Sequence, residues 1–212
     1  MYRLILALTI LLITTNVTGQ KKEIFVHPNF QEISDAHVKI AVLPLNISLA
    51  LHPAYEQEVS DEEYEQMKVD LSYDFQRAFE LEMNYQKGKK AFRVRIQDTR
   101  TTNRILERED IDFYTLIEYS AEELAEILEV DAVMRGAITS KSKGSLLLAE
   151  TLVSIAGVSQ NIQTSILDMQ LVDRKGKELW RYKNKIGKGV FNDEYTTGLP
   201  LLRKAARSLP YY

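Results

Sequence analysis

The hydrophobic and polar positions of this chain change period several times, and each change marks an element. VKIAVLPL (Val38 to Leu45) is almost unbroken apolar sequence rich in β-branched residues. That pattern predicts a strand covered on both faces, ending near Pro44. From Ser60 the spacing turns helical. Ser60-Asp61-Glu62-Glu63 has the form of a capping box, and Tyr64, Met67, Leu71, Phe75, Ala78 and Phe79 follow at intervals of three and four. Gly88 marks the predicted helix end, with Lys87, Lys89 and Lys90 placed to meet its negative pole. FRVRIQD then alternates, with Phe92, Val94 and Ile96 inward and Arg93, Arg95 and Gln97 facing water or a neighbour. A short helical stretch is predicted around Thr102 to Glu109. Ser120 to Glu123 repeats the capping box before a helix carrying Leu124, Ile127 and Leu128, and DAVMRGAITS (Asp131 to Ser140) reads as a strand.

SLLLAETLVSIAGV (Ser145 to Val158) breaks this rhythm. Beyond it, Leu167, Met169 and Leu171 alternate with Asp168 and Gln170. Trp180 and Tyr182 alternate with Arg181 and Lys183, and Arg174-Lys175-Gly176 between them suits a tight hairpin. A last stretch, Asn192 to Ser208, is expected to be partly helical, interrupted by Gly198 and Pro200. Leu201, Leu202, Ala205 and Leu209 would dock it. The order is β-α-β-(α)-α-β, insertion, β-β-α. It predicts a single α/β domain: a mixed sheet of about five strands with helices packed on it.

The first residues lie outside that pattern. Arg3, the apolar run Leu4 to Ile13 and the small site Val17-Thr18-Gly19 have the form of a cleaved export signal. The apolar run spans only about 15 Å as a helix, half a bilayer core. The expected division is a signal peptide at 1–19, a flexible lead-in at 20–36, and one domain at 37–212 with the apolar insertion at 145–158. The expected location is the periplasm or the exterior. The chain has no cysteine, so neither a disulfide nor a lipid-bearing thioether can form. Its net charge of −3 argues against nucleic acid as a partner, since phosphate contacts call for a basic excess.

The sequence offers little to chemistry. His27, His37 and His52 lack a second ligand at metal spacing, and no GxSxG, GxxxxGK[ST] or GxGxxG element occurs. No catalytic, metal or cofactor residues are assigned. The acidic run Asp61 to Glu65 is explained by its helix start, and the cluster Lys87, Lys89, Lys90, Arg93 and Arg95 reads as a solvated surface. The distinctive feature is the insertion. Burying Leu146, Leu147, Leu148, Leu152, Val153, Ile155 and Val158 is worth roughly 1.5–3 kcal/mol each, so something must cover them. They form a candidate contact surface: packed into their own domain, docked on another subunit, or lying on a membrane as a peripheral contact.

Three stretches together carry a likeness. VKIAVLPL, LAEILEVDAVMRGAIT and ILDMQLVDRKGKELWRYK resemble a superfamily of Gram-negative envelope proteins. It includes the curli secretion channel subunit, the lipoprotein activators of penicillin-binding proteins and the amino-terminal domain of the Tol translocation protein. The matching residues are Leu43-Pro44, Val130-Asp131-Ala132 with Gly136, and Leu171-Val172-Asp173 with Gly176 and Trp180. The resemblance implies an anticodon-binding-domain-like fold in which Pro44, Asp131, Gly136, Asp173, Gly176 and Trp180 act as scaffold. It also implies a non-enzymatic adaptor or assembly role in the periplasm, through a protein partner or self-association. The alternatives are a ring-forming subunit of an envelope export complex, or a small enzyme of unrecognised type.

Overall fold

A computed structural model describes residues 22–50, 60–89, 93–142, 162–187 and 199–211. Its strands are β1 (Lys22–Val26), β2 (Lys39–Val42), β3 (Asn46–Ala50), β4 (Arg95–Ile96), β5 (Ala132–Ser142), β6 (Ile162–Asp173) and β7 (Glu178–Gly187). Its helices are α1 (Phe30–Ser34), α2 (Asp61–Lys89), α3 (Thr99–Arg108), α4 (Ala121–Ile127) and α5 (Leu199–Arg207). A 3-10 turn at Thr115–Glu118 precedes α4. The strands make one mixed sheet in the order β1-β7-β6-β5-β2-β4, with β3 also on β5. β5, β6, β7 and β1 run antiparallel, while β2 and β3 are parallel to β5 and β2 is parallel to β4. The architecture is the expected single mixed α/β domain, with seven strands in place of about five.

The two extra strands have clear physical origins. β2 and β3 lie end to end along the same edge of β5. Val42 sits opposite Met134 and Asn46 opposite Ala137, so Leu43, Pro44 and Leu45 face only Arg135 and Gly136. This is a bulge, and it tolerates a proline that has no amide to give the ladder. The strand therefore resumes beyond Pro44 instead of ending there. Lys22–Val26 and Phe30–Ser34, expected as part of a flexible lead-in, form β1 and α1. β1 gains its ladder from β7, a partner far away in sequence.

Each face of the sheet has its own core. Ile40, Val42, Met134, Met169, Leu171, Trp180 and Tyr182 pack under α2 and α5, with Met67, Leu71, Phe79, Met83, Leu202, Ala205 and Leu209 opposite them. Ala41, Leu43, Val133 and Val172 pack against Leu106, Leu124 and Leu128 of α3 and α4. Both capping boxes form: the Glu63 amide donates to Ser60 Oγ (3.2 Å) and the Ser60 amide to Glu63 Oε2 (3.0 Å), with the same exchange at Ser120 and Glu123. Gly88 lies inside α2, which continues to Lys89, so the lysines and not the glycine mark its end. Pro200 sits in the first turn of α5, where its missing amide costs nothing, and it does not interrupt the helix. The predicted strand at Phe92 to Gln97 shrinks to two residues. Gln97 faces a neighbour and not water: its amide group donates to the Leu128 carbonyl (3.1 Å) and accepts from the Thr102 hydroxyl (2.9 Å). Among the described residues no helix is long and apolar enough to cross a membrane.

Candidate functional site

Residues 145–158, the candidate contact surface, lie outside the described residues. The six scaffold residues divide among three places. Asp131, Asp173 and Gly176 gather where β2, β5 and the β6–β7 turn meet. Asp131 Oδ2 accepts the amides of Val38 (2.7 Å) and Lys39 (2.9 Å), and its carbonyl accepts the Arg174 amide (2.9 Å). Asp173 Oδ1 accepts the amides of Lys175 (2.9 Å) and Lys177 (2.8 Å), closing the turn in which Gly176 holds φ +77°. A Cβ at 176 would run into the carboxylate of Glu122 on α4. Trp180 lies fully buried on the other face, its indole N–H donating to the Ser208 carbonyl (3.1 Å). These groups tie backbone segments together.

Next to this junction lies a half-buried imidazole. His37 Nδ1 is 2.8 Å from the Tyr211 hydroxyl, and Tyr211 packs edge-on to Phe30 with ring centroids 5.1 Å apart. Burial lowers the His37 pKa, while Asp131 and Asp173 pull it back up. Burial pushes the Tyr211 phenol far up, so it stays neutral. This cluster locks residues 30–37 to residues 209–211.

Pro44 and Gly136 sit elsewhere, in the wall of a cleft of about 240 Å³ at the β2–β3 bulge. Leu43, Leu124, Phe113, Leu116 and Ile117 supply its apolar surface; Asn46, Arg135, Asp168 and Gln170 supply its polar side. The polar side follows from register. Gln170 lies opposite Arg135 and Asp168 opposite Ala137, on the stretch of sheet that α4 leaves uncovered. Asp168 is held by Arg181, whose Nε and Nη2 donate to it at 2.9 and 2.6 Å, with Lys183 3.8 Å away. Arg135 makes no ion pair among the described residues.

The apolar wall is set by a short turn. Asp112 Oδ1 accepts the amides of Tyr114 (2.9 Å) and Thr115 (2.8 Å) and the Thr115 hydroxyl (3.0 Å). The hydrogen bonds from Thr115 hold the Asp112 carboxyl below its ordinary pKa. Fixed in this way, Tyr114 and Ile117 stand in solvent, 51% and 62% exposed. The arrangement offers shape, greasy contact and a guanidinium. It holds no nucleophile paired with a base, and among the described residues no cluster of His, Cys, Asp or Glu is fit to hold a metal. Sequence reading passed over this wall. The signal was present: an Asp three residues before a Thr, around two aromatics, between two helices.

No family profile and no curated protein matches the chain. Several solved structures do. The PelC dodecamer from Paraburkholderia phytofirmans is 12% identical, with 87% of this chain and 93% of that one covered and a TM-score of 0.44. Lipoprotein GNA1162 from Neisseria meningitidis is 17% identical, with 80% and 95% covered and a TM-score of 0.43. The LpoB C-terminal domain from Salmonella enterica is 9% identical, with 76% and 94% covered and a TM-score of 0.35. The likeness is to the general course of the chain, and no function passes through it.

Proposed function

We propose that this chain is a non-enzymatic periplasmic adaptor or assembly protein of the bacterial cell envelope, exported by its first 19 residues and acting through protein–protein contacts. The observation that carries the reading is the cleft at the bulge. An apolar pit is walled by Phe113, Leu116 and the exposed Ile117, on a turn that hydrogen bonds hold in place, beside an arginine with no ion pair among the described residues. Such a surface fits a partner segment that buries one or two apolar side chains and brings an acidic group to Arg135. The apolar stretch 145–158 is the second contact surface of the same reading, toward a partner or the membrane.

A photo-reactive residue at position 117, expressed in the native envelope, tests this. It should capture a discrete protein, and Ile117→Asp should reduce co-purification of that protein roughly tenfold. Capture of the same proteins from a site across the molecule, such as Lys204 on α5, or undiminished co-purification by Ile117→Asp, would refute the cleft as the contact site. Deleting residues 146–158 probes the second surface. Unchanged partners and membrane partition would remove it from the reading.

A further inference from the structure

β1 is an edge strand of an unusual kind. Edges are normally blunted by lysine, proline or a bulge, because their free amides and carbonyls recruit other strands. Here the charges stop at Lys22 and Glu23, and Ile24, Phe25 and Val26 follow at 44%, 43% and 42% exposure. The direction of the backbone groups is fixed by the neighbouring strand. The His27 amide donates to the Leu179 carbonyl (2.8 Å), continuing a ladder in which Val26 faces Trp180 and Phe25 faces Arg181. By alternation, Glu23 and Phe25 also turn their amides and carbonyls toward β7. Those of Ile24 and Val26 point away from the sheet.

We infer that β1 pairs antiparallel with β1 of a second copy, about a twofold axis at Phe25, joining two sheets edge to edge. The register follows from chemistry. With Phe25 facing Phe25, the outward groups of Ile24 meet those of the second copy's Val26, and the reverse, giving two mutually bonded residue pairs. The pairs on each face also match. Ile24 sits across from Val26 on the Trp180 side. On the other side the two phenyl rings meet, flanked by Glu23 across from His27 at both ends. His27 is suited to this contact. Its Nδ1 accepts the Asn29 amide (3.1 Å), so the neutral ring carries its proton on Nε2 and can donate it to a carboxylate. Pro28 follows and ends the ladder, having no amide to extend it. Centring the pairing on Ile24 instead would set Glu23 against Phe25 and Lys22 against Val26, exchanging matched pairs for mismatched ones.

The absence of cysteine makes the test direct. In this register residue 25 faces its own copy at a Cα separation of about 4.5 Å, within disulfide range. Under mild oxidation Phe25→Cys should give a covalent dimer, while Leu81→Cys on the exposed face of α2 should not. Sedimentation of the purified unmodified protein, from micromolar to hundreds of micromolar, should show the mass double. Ile24→Pro removes an outward amide and leaves the amides toward β7 in place. His27→Glu sets carboxylate against carboxylate at both ends. Each should weaken association roughly tenfold. The His27→Glu result does not depend on how well the strand accepts proline. A monomer throughout the range, pairing indifferent to both changes, or equal bridging by Leu81→Cys would overturn the inference. It does not rest on the cleft: an Ile117→Asp chain should still pair.

Discussion

Asp173 offers a sharp test of how the hairpin is held. One carboxylate oxygen takes two backbone amides, at 2.9 and 2.8 Å, and the residue is almost fully buried. Hydrogen bonds to a charged acceptor contribute about 1.5–3 kcal/mol each. Removing both in Asp173→Ala should not cost the full sum, because Lys175 and Lys177 lie on an exposed turn and their amides can turn to water. A loss of about 2–3 kcal/mol is expected. Asp173→Asn keeps an oxygen in place and loses only the charge, so it should cost about 1 kcal/mol. Urea denaturation followed by the fluorescence of Trp180, the sole and buried tryptophan, reads this directly. With a slope near 2 kcal/mol per molar urea, the midpoint should fall by about 1–1.5 M for alanine and about 0.5 M for asparagine. Alanine and asparagine variants with the same midpoint would show that the carboxylate oxygen is not what holds the turn.

Two further outcomes are expected. Gly176→Ala places a side chain at φ +77° and against Glu122, so it should cost about 1–2 kcal/mol; in the same urea titration Glu122→Ala should recover part of that loss. Burial lowers the His37 pKa in the folded protein, so the unfolded chain binds that proton more readily. The stabilisation is complete above the unfolded value of 6.5 and is lost as pH falls below it. Melting temperatures measured on either side of that value should fall more for the native chain than for His37→Gln, and an equal or smaller fall would contradict the burial argument.

Much of the fold was legible because its determinants are local. Ser60 with Glu63 and Ser120 with Glu123 announce their helices by side chains three residues apart. The β6–β7 hairpin declares itself by alternation on both sides of Gly176. β1 could not be read this way. Lys-Glu-Ile-Phe-Val has no alternation, and its strand geometry comes from hydrogen bonds to β7, more than 150 residues on. β3 was hidden by Pro44, which reads as a terminator unless the two-for-three bulge with Arg135 and Gly136 is known. For Gln97 the alternation leaves water or a neighbour open, and only the completed fold supplies the neighbours, the Leu128 carbonyl and the Thr102 hydroxyl. The cleft was the least legible part. Its wall comes from the bulge, a turn at 112–117 and the bare half of β5 and β6, three stretches brought together only by the completed sheet.

The seat of Trp180 and Tyr182 is closed from above by α5, with Leu202, Ala205, Leu209 and Tyr211 buried there. The long helix on that face, α2, ends at Lys89, more than a hundred residues earlier. A chain emerging from amino end to carboxyl end therefore holds a large oily hollow that stays unroofed until residues 199–211 are delivered. Its assembly is paced by distant pairings, which close slowly, so there is an interval in which a chaperone can grip it. Deleting residues 199–211 should strand the chain in that interval.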